Sequence, residues 1–229
     1  MRFVLARATI DCQPMDVRMF TVGPVQENCF LLRGEGSDSA LIVDPGEEAP
    51  RILGVVDELG LTVEAVLVTH CHFDHIGAVA PVAHATGAPV YVSEIERPVL
   101  ADIMSYVPFA GFGPYESYEA DHLLKGGERL ELAGLEIDVH FTPGHSPGHL
   151  TYSILAERAI FSGDVLFQGS VGRTDLPGGD WEILLTSIGG LVDALPEDTT
   201  VYPGHMGITT LGAERRTNPF LAELAAGGS

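Results

Sequence analysis

The stretch Thr69-His70-Cys71-His72-Phe73-Asp74-His75 constrains this chain more than any other. Three imidazoles and one carboxylate fall within six residues, directly after the apolar run Ala65-Val66-Leu67-Val68. A short valine-rich run of this kind reads as a buried strand. His70 and His72 are two apart, so extended backbone aims both to one side. Asp74 and His75 follow where the chain should turn into a helical pattern beginning at Ile76. One loop therefore offers two groups of ligands, a His pair and an Asp-His pair. Neutral imidazole and carboxylate suit zinc, iron or manganese. A solvated loop has no physical reason to select imidazole three times.

Around that loop the pattern alternates between strands and helices. Strands are expected at Val17 to Val22, Cys29 to Leu32, Ala40 to Val43 and Pro89 to Ser93. Apolar residues at helical spacing predict a helix over Arg51 to Leu59, closed by Gly60. A second helix is expected over Ile76 to Thr86, with Pro81 implying a kink or an early end, and a third over Glu94 to Met104, broken by Pro98. Ser105 to Ser117 is aromatic-rich and has no period, as expected of a substrate lid or of a segment packed under the core edge. Strands recur at Ile137 to Thr142, Thr151 to Leu155, Ala159 to Ser162 and Thr200 to Tyr202. Helical spacing follows over Trp181 to Leu195 and Leu211 to Leu224. Two successive sets of strands and helices suggest two packed sheets with helices outside. Residues 15–229 read as one domain, and residues 1–14 as a possible loose extension.

Four of these strands end in a candidate ligand. Val66 to Thr69 leads into His70, and Val139 to Thr142 leads through Pro143-Gly144 into His145. Ala159 to Gly163 leads into Asp164, and Val201-Tyr202 leads through Pro203-Gly204 into His205. Strand ends that share one rim of a sheet would gather all four. A glycine directly before each of the later three lets backbone approach closely. Each of those three alone reads more readily as a turn residue; the combination with the His70 loop is what points to a site.

The stretch His70 to His75, Thr142-Pro143-Gly144-His145, Ser162-Gly163-Asp164 and Pro203-Gly204-His205, in that order, resemble the motifs of the metallo-β-lactamase fold. The resemblance implies an α/β fold, an αββα sandwich with metal ions at one edge of the two sheets. It implies one or two divalent cations per chain, zinc foremost, with iron or manganese as alternatives. By the same resemblance His70, His72 and His145 would hold one ion, and Asp74, His75 and His205 the second, with Asp164 bridging. Gly172-Arg173-Thr174-Asp175-Leu176-Pro177-Gly178-Gly179-Asp180 resembles the short glyoxalase II-like hydrolases, as do Gly23-Pro24 with Asn28 and Asn218-Pro219-Phe220. The implied reaction is hydrolysis of a small-molecule thioester to a hydroxy acid and a thiol, with Asp74 orienting the attacking water while binding metal. Larger glyoxalase II proteins add a C-terminal helical region whose cations meet glutathione. Here only Arg215 and Arg216 stand near that end, which leaves the thiol open. A persulfide dioxygenase with one iron on His70, His145 and Asp164 is the rival within the fold. A non-catalytic metal-binding module is the rival outside enzymology.

Composition narrows the partners. The formal net charge is −20 with a single lysine, Lys125, which argues against nucleic acid or an anionic membrane surface as a partner. No apolar run approaches the roughly 20 residues of a membrane span. Three cysteines without close pairing (Cys12, Cys29 and Cys71) fit a reducing, cytoplasmic setting. Cys71 should point away from its flanking histidines. His149 should support the site by hydrogen bonding, while His84, His122 and His140 should be structural or exposed. Arg173 and Asp175 should pair with each other and shape their loop, the alternative being that Arg173 meets a substrate carboxylate.

Overall fold

The computed structural model describes residues 15–222. The possible extension at 1–14, Cys12, and the last two residues of the helix expected to reach Leu224 lie outside them. The first sheet contains β1 (Asp16–Val22), β2 (Glu27–Arg33), β3 (Ser39–Val43), β4 (Thr62–Leu67), β5 (Val90–Ser93) and β6 (His122–Leu124), in sequence order. The second runs β7 (Arg129–Leu132), β8 (Leu135–Phe141), β9 (Leu150–Ile154), β10 (Ala159–Gly163), β13 (Thr200–Pro203) and β14 (Thr209–Thr210). The short hairpin of β11 (Leu166–Phe167) and β12 (Ser170–Val171) stands apart.

Residues on alternate sides of these strands build separate cores, as a period of two requires. Leu41 and Val43 of β3 and Leu67 of β4 meet Ile137, Val139, Tyr152 and Phe161 between the sheets. Their neighbours Ile42 and Val66 face outward, against Ile52 and Val56 of α1 (Ala49–Glu58) and Val82 of α3 (Val79–Thr86). On the far side Ile160 and Val201 pack on Leu184, Ile188 and Leu191 of α6 (Trp181–Ala194). Helix, sheet, sheet, helix is the αββα arrangement expected from the sequence. Each fully buried Leu, Ile or Phe contributes roughly 1.5–3 kcal/mol relative to exposure. Central strands covered on both faces therefore read as unbroken apolar runs.

Pro81 and Pro98 open helices and do not break them. The expected helix from Ile76 begins earlier, as α2 (Phe73–Ile76), and breaks at Gly77-Ala78 before α3 starts. Pro81 lies in the first turn of α3, where a backbone N–H has no helical partner, so the helix runs on to Thr86. Pro98 likewise opens α4 (Arg97–Ala101), which is followed by α5 (Ile103–Tyr106). The last helix, α7 (Leu211–Thr217), stops at Asn218, whose side chain accepts from the Phe220 N–H and starts a separate 3-10 turn. The short edge strands β6, β7 and β14 and the hairpin are additions to the strands expected from the sequence.

Strand direction places the candidate ligands. β3 through β6 are mutually parallel, so the chain leaves β3 and β4 at the same edge. β8 and β10 are both antiparallel to β9, and β13 is parallel to β10, so these three also end at one edge. The two edges are joined across the sandwich by Asn28. Its backbone N–H donates to the Gly204 carbonyl at 2.7 Å, and its side-chain amide to the carbonyls of Pro203 and Met206. Leu150 N–H donates to the Thr69 carbonyl at 2.8 Å, a second tie. Among the described residues no helix is long and apolar enough to cross a membrane.

Candidate metal centre

All seven sequence-selected side chains converge at this shared edge. His70 Nε2, His72 Nδ1 and His145 Nε2 form a triangle with sides of 3.0, 2.8 and 3.2 Å. Asp74, His75 and His205 form a second group, with His205 Nε2 3.3 Å from Asp74 Oδ2. Asp164 lies between the groups. One oxygen is 3.3 Å from His75 Nε2; the other is 3.4 Å from His145 Nε2 and 3.6 Å from His205 Nε2.

The hydrogen bonds on the outer ring nitrogens decide what the inner ones present. His145 Nδ1 meets the Arg173 carbonyl at 2.7 Å and His205 Nδ1 meets the Gln26 carbonyl at 3.2 Å. A carbonyl can only accept, so both Nδ1 atoms carry hydrogen, and in the neutral form of each ring the lone pair is on the inward-facing Nε2. His70 reaches the same state by a relay. Thr69 Oγ1 donates to Asp44 Oδ2 at 2.5 Å, so it must accept from His70 Nδ1 at 3.1 Å. His70 Nε2 and His145 Nε2 thus face each other at 3.2 Å with lone pairs on both, which is not a hydrogen bond. His75 Nδ1 contacts Asp44 Oδ2 at 3.0 Å, while its buried Nε2 and the buried Asp164 Oδ1 face each other at 3.3 Å without hydrogen-bond alignment. Converging lone pairs and orphaned buried acceptors are costly unless a cation sits among them. Tetrahedral nitrogen ligands at about 2.0–2.1 Å from zinc stand roughly 3.3 Å apart, close to the spacing of the triangle. The donor set therefore fits divalent cations.

Protonation follows the same arrangement. Burial holds His70 well below the usual imidazole range, with His75 and His72 adding to it. Burial and His145 bring His72 down to about 4. Burial opposes a charge on Asp164, but His75, His205 and His145 outweigh it and draw that carboxyl far below its ordinary value. Burial also opposes a proton on His75, yet Asp164, Asp44 and Asp74 raise it well above its ordinary value. Without an ion, protons are the cations that balance these carboxylates.

Several supporting residues were not selected from sequence. Asp44, at the end of β3, accepts from Thr69 N–H at 2.7 Å and from Thr69 Oγ1 while meeting His75. Glu27 is fully buried 3.7 Å from His75 Nδ1, its carboxyl raised by burial and both oxygens unpartnered. Glu96 ties the two ligand loops together by accepting from Cys71 N–H, Ser146 Oγ and Gly148 N–H. The Asp44-Pro45-Gly46 stop carried the same strand-end signal as the selected residues, but it reads equally as a turn. Glu27 and Glu96 left no distinguishing pattern.

His149 behaves as expected of a supporting residue. Its Nε2 accepts from the Asp164 N–H at 3.1 Å, so its Nδ1 donates to Thr142 Oγ1 at 3.0 Å. His149→Phe should leave that buried N–H unsatisfied. A chelator competition titration should show metal affinity weakened by about 10–100-fold. Cys71 is 2 % exposed and its thiol is pushed up by burial, so it is no thiolate nucleophile at neutral pH. Arg173 and Asp175 pair through two 2.6 Å contacts in solvent. His84 and His122 are exposed, and His140 contacts Ser153 Oγ at 2.7 Å. Gly204 has to be glycine: a Cβ there would stand 2.3 Å from Asp164 Oδ1 and 2.6 Å from His75 Cε1. The aromatic segment divides its work. Phe112 and Tyr115 pack on the core beside Phe73, while Phe109 is half-exposed over the site.

A fold of two sheets with paired His and Asp clusters at one edge defines a class of metallo-hydrolases. Residues 22–205 match the model of the metallo-β-lactamase superfamily, and this chain belongs to that family. It is 43% identical over 212 residues to the probable metallo-hydrolase YqgX of Bacillus subtilis, covering 90% of this chain and 98% of that protein. It is 35% identical over 209 residues to the hydroxyacylglutathione hydrolase GloC of Haemophilus influenzae, with coverage of 90% and 98%. Among solved structures it resembles the BLEG-1 B3 metallo-β-lactamase, with a TM-score of 0.85, 42% identity and coverage of 90% and 99%. TTHA1623 in a di-iron-bound form gives 0.79, 41%, and coverage of 89% and 100%. ETHE1 from Myxococcus xanthus gives 0.73, 29%, and coverage of 89% and 83%.

Proposed function

We propose that this protein is a metal-dependent thioester hydrolase of glyoxalase II type, releasing a hydroxy acid and a thiol. The observation that carries the reading is Asp164, whose Oδ2 lies 3.4 Å from His145 of one ligand group and 3.6 Å from His205 of the other, while its Oδ1 lies 3.3 Å from His75. His70, His72 and His145 would hold one cation, Asp74, His75 and His205 a second, and Asp164 both. Such ions, when bound, polarise a carbonyl and lower the pKa of water to about 7 for zinc. Asp74 lines the cavity, and one of its oxygens already faces His205. Its other oxygen orients the attacking water by accepting a hydrogen. A thiolate departs without a proton donor, in keeping with a cavity whose histidines all serve as ligands. The likeness to GloC supports a hydroxyacyl thioester as the substrate class. The substrate is a small molecule met in the cytoplasm, and neither nucleic acid nor membrane takes part.

A second reading is an iron dioxygenase acting on a persulfide through His70, His145 and Asp164, a class that the Gly172-Arg173-Thr174-Asp175 step also resembles. One experiment separates them. Metal-loaded protein is given an S-lactoyl thioester, followed by thioester absorbance, and separately a persulfide in an oxygen electrode. A β-lactam is the control for the activity named for BLEG-1. Thioester loss without oxygen uptake is expected; oxygen uptake with sulfite formation would overturn the proposal.

A further inference from the structure

Two cavities meet at the candidate centre. The first, about 540 Å³, contains His72, Asp74, His145, Asp164 and His205. The second, about 220 Å³, contains none of the last four but shares His72, Phe73, Pro108 and Leu176 with the first. Beyond that shared wall its sides are Ile95, Val99, Tyr106, Pro147 and Pro177. Its polar floor offers little to a polar ligand. Glu96 there spends Oε1 on Ser146 Oγ and Gly148 N–H, and Oε2 on Cys71 N–H. Ile95, Tyr106 and Phe109 stand 51, 54 and 48 % exposed around the two cavities. Three large apolar side chains left in water beside a reactive site gain by being covered. Among the described residues, the one Arg or Lys lining the first cavity is Arg173, which is already paired with Asp175. Apart from the candidate ligands themselves, the other polar side chains of its wall, Gln26 and Ser170, are uncharged.

Resting on the thioesterase reading above, we propose that the substrate carries an uncharged apolar arm. That arm passes between Phe73, Pro108 and Leu176 into the second cavity, with Val99 and Ile95 setting its length. Pro108 and Leu176 both belong to segments without helix or strand, so the passage is bounded by loops rather than by the sheet framework. A cavity of about 220 Å³ has room for about seven water-sized groups at roughly 30 Å³ each. The arm is therefore a chain of several carbons, on either the acyl or the thiol side.

The metal-loaded full chain tests this with two thioester series. One lengthens a linear acyl group on a fixed neutral thiol; the other lengthens an alkanethiol on a fixed acetyl group. In one series kcat/KM should rise about threefold to fourfold per methylene and level off once the cavity is filled. The series that responds identifies the side that carries the arm. Val99→Trp, which fills the cavity, and Ile95→Trp, on its half-exposed rim where folding is little burdened, should each flatten that slope. Calorimetric binding of straight-chain carboxylic acids and alkanethiols of matching lengths should show the same dependence without turnover. Protein that hydrolyses no thioester yet binds longer chains more tightly, and less so as Val99→Trp, would refute the hydrolase reading and retain the apolar arm. Slopes that are flat in both series and in binding, or unchanged in both tryptophan variants, would overturn it.

Discussion

Asp164→Asn is expected to lower kcat/KM for thioester hydrolysis by at least about 10³-fold and to reduce bound metal from about two ions per chain to one or fewer. The residue sits where both ligand groups meet, with oxygens 3.3 to 3.6 Å from three different imidazoles. Asparagine keeps the shape and leaves the Asp164-to-His149 backbone contact in place. It removes the negative charge and one of the two acceptors. Metal ions supply several kcal/mol of transition-state stabilisation, and each 1.36 kcal/mol is tenfold in rate. Loss of one ion from a pair that acts jointly therefore costs at least three orders of magnitude. Elemental analysis beside steady-state kinetics measures both quantities on one preparation. A variant retaining two ions and near-normal turnover would remove Asp164 from the centre and with it the paired-cation reading.

Much of this centre was legible because one device repeats. A buried strand is recognisable by its apolar run, and a polar residue just past its end must lie at a sheet edge. His70, His145, Asp164 and His205 satisfied that rule, and parallel strand directions then made their edges coincide. Asp44 obeys the same rule after β3, yet in sequence it is indistinguishable from a turn aspartate beside Pro45-Gly46. Glu27 and Glu96 could not be found this way. Their role depends on burial, which the rest of the fold confers and no local pattern encodes. The helix errors share a physical cause. Pro81 and Pro98 lie in first turns, where proline lacks only an N–H that had no helical partner. Edge strands of two or three residues carry too few alternations to show a period.

Stripping the metal should destabilise the protein strongly, and more so as pH rises. A ligand present at 1,000 times its Kd stabilises the folded state by about 4.1 kcal/mol. For a chain of 150–250 residues each kcal/mol shifts Tm by about 2–4 °C, so chelation should lower Tm by about 10 °C near pH 7. The pH dependence follows from the direction of each imidazole shift in the metal-free protein. Against burial, Asp164 and the other carboxylates raise His75 and His205. A raised imidazole stabilises the fold fully below its unfolded value of about 6.5, and that contribution is lost as pH climbs through the folded value. Burial lowers His70, His72 and His149, so they stabilise above about 6.5 and cost stability as pH falls through their folded values. Metal-free protein should therefore be most stable near pH 6.5 and weaken on both sides. In the loaded protein cations take the place of the His75 and His205 protons, so the alkaline loss should vanish and the Tm gap should widen from pH 6.5 to 8.5. The same exchange makes metal binding release protons and weaken toward acid. Scanning calorimetry of chelated and loaded protein across that range measures the gap directly; a Tm gap independent of pH would show that His75 and His205 exchange no proton for metal.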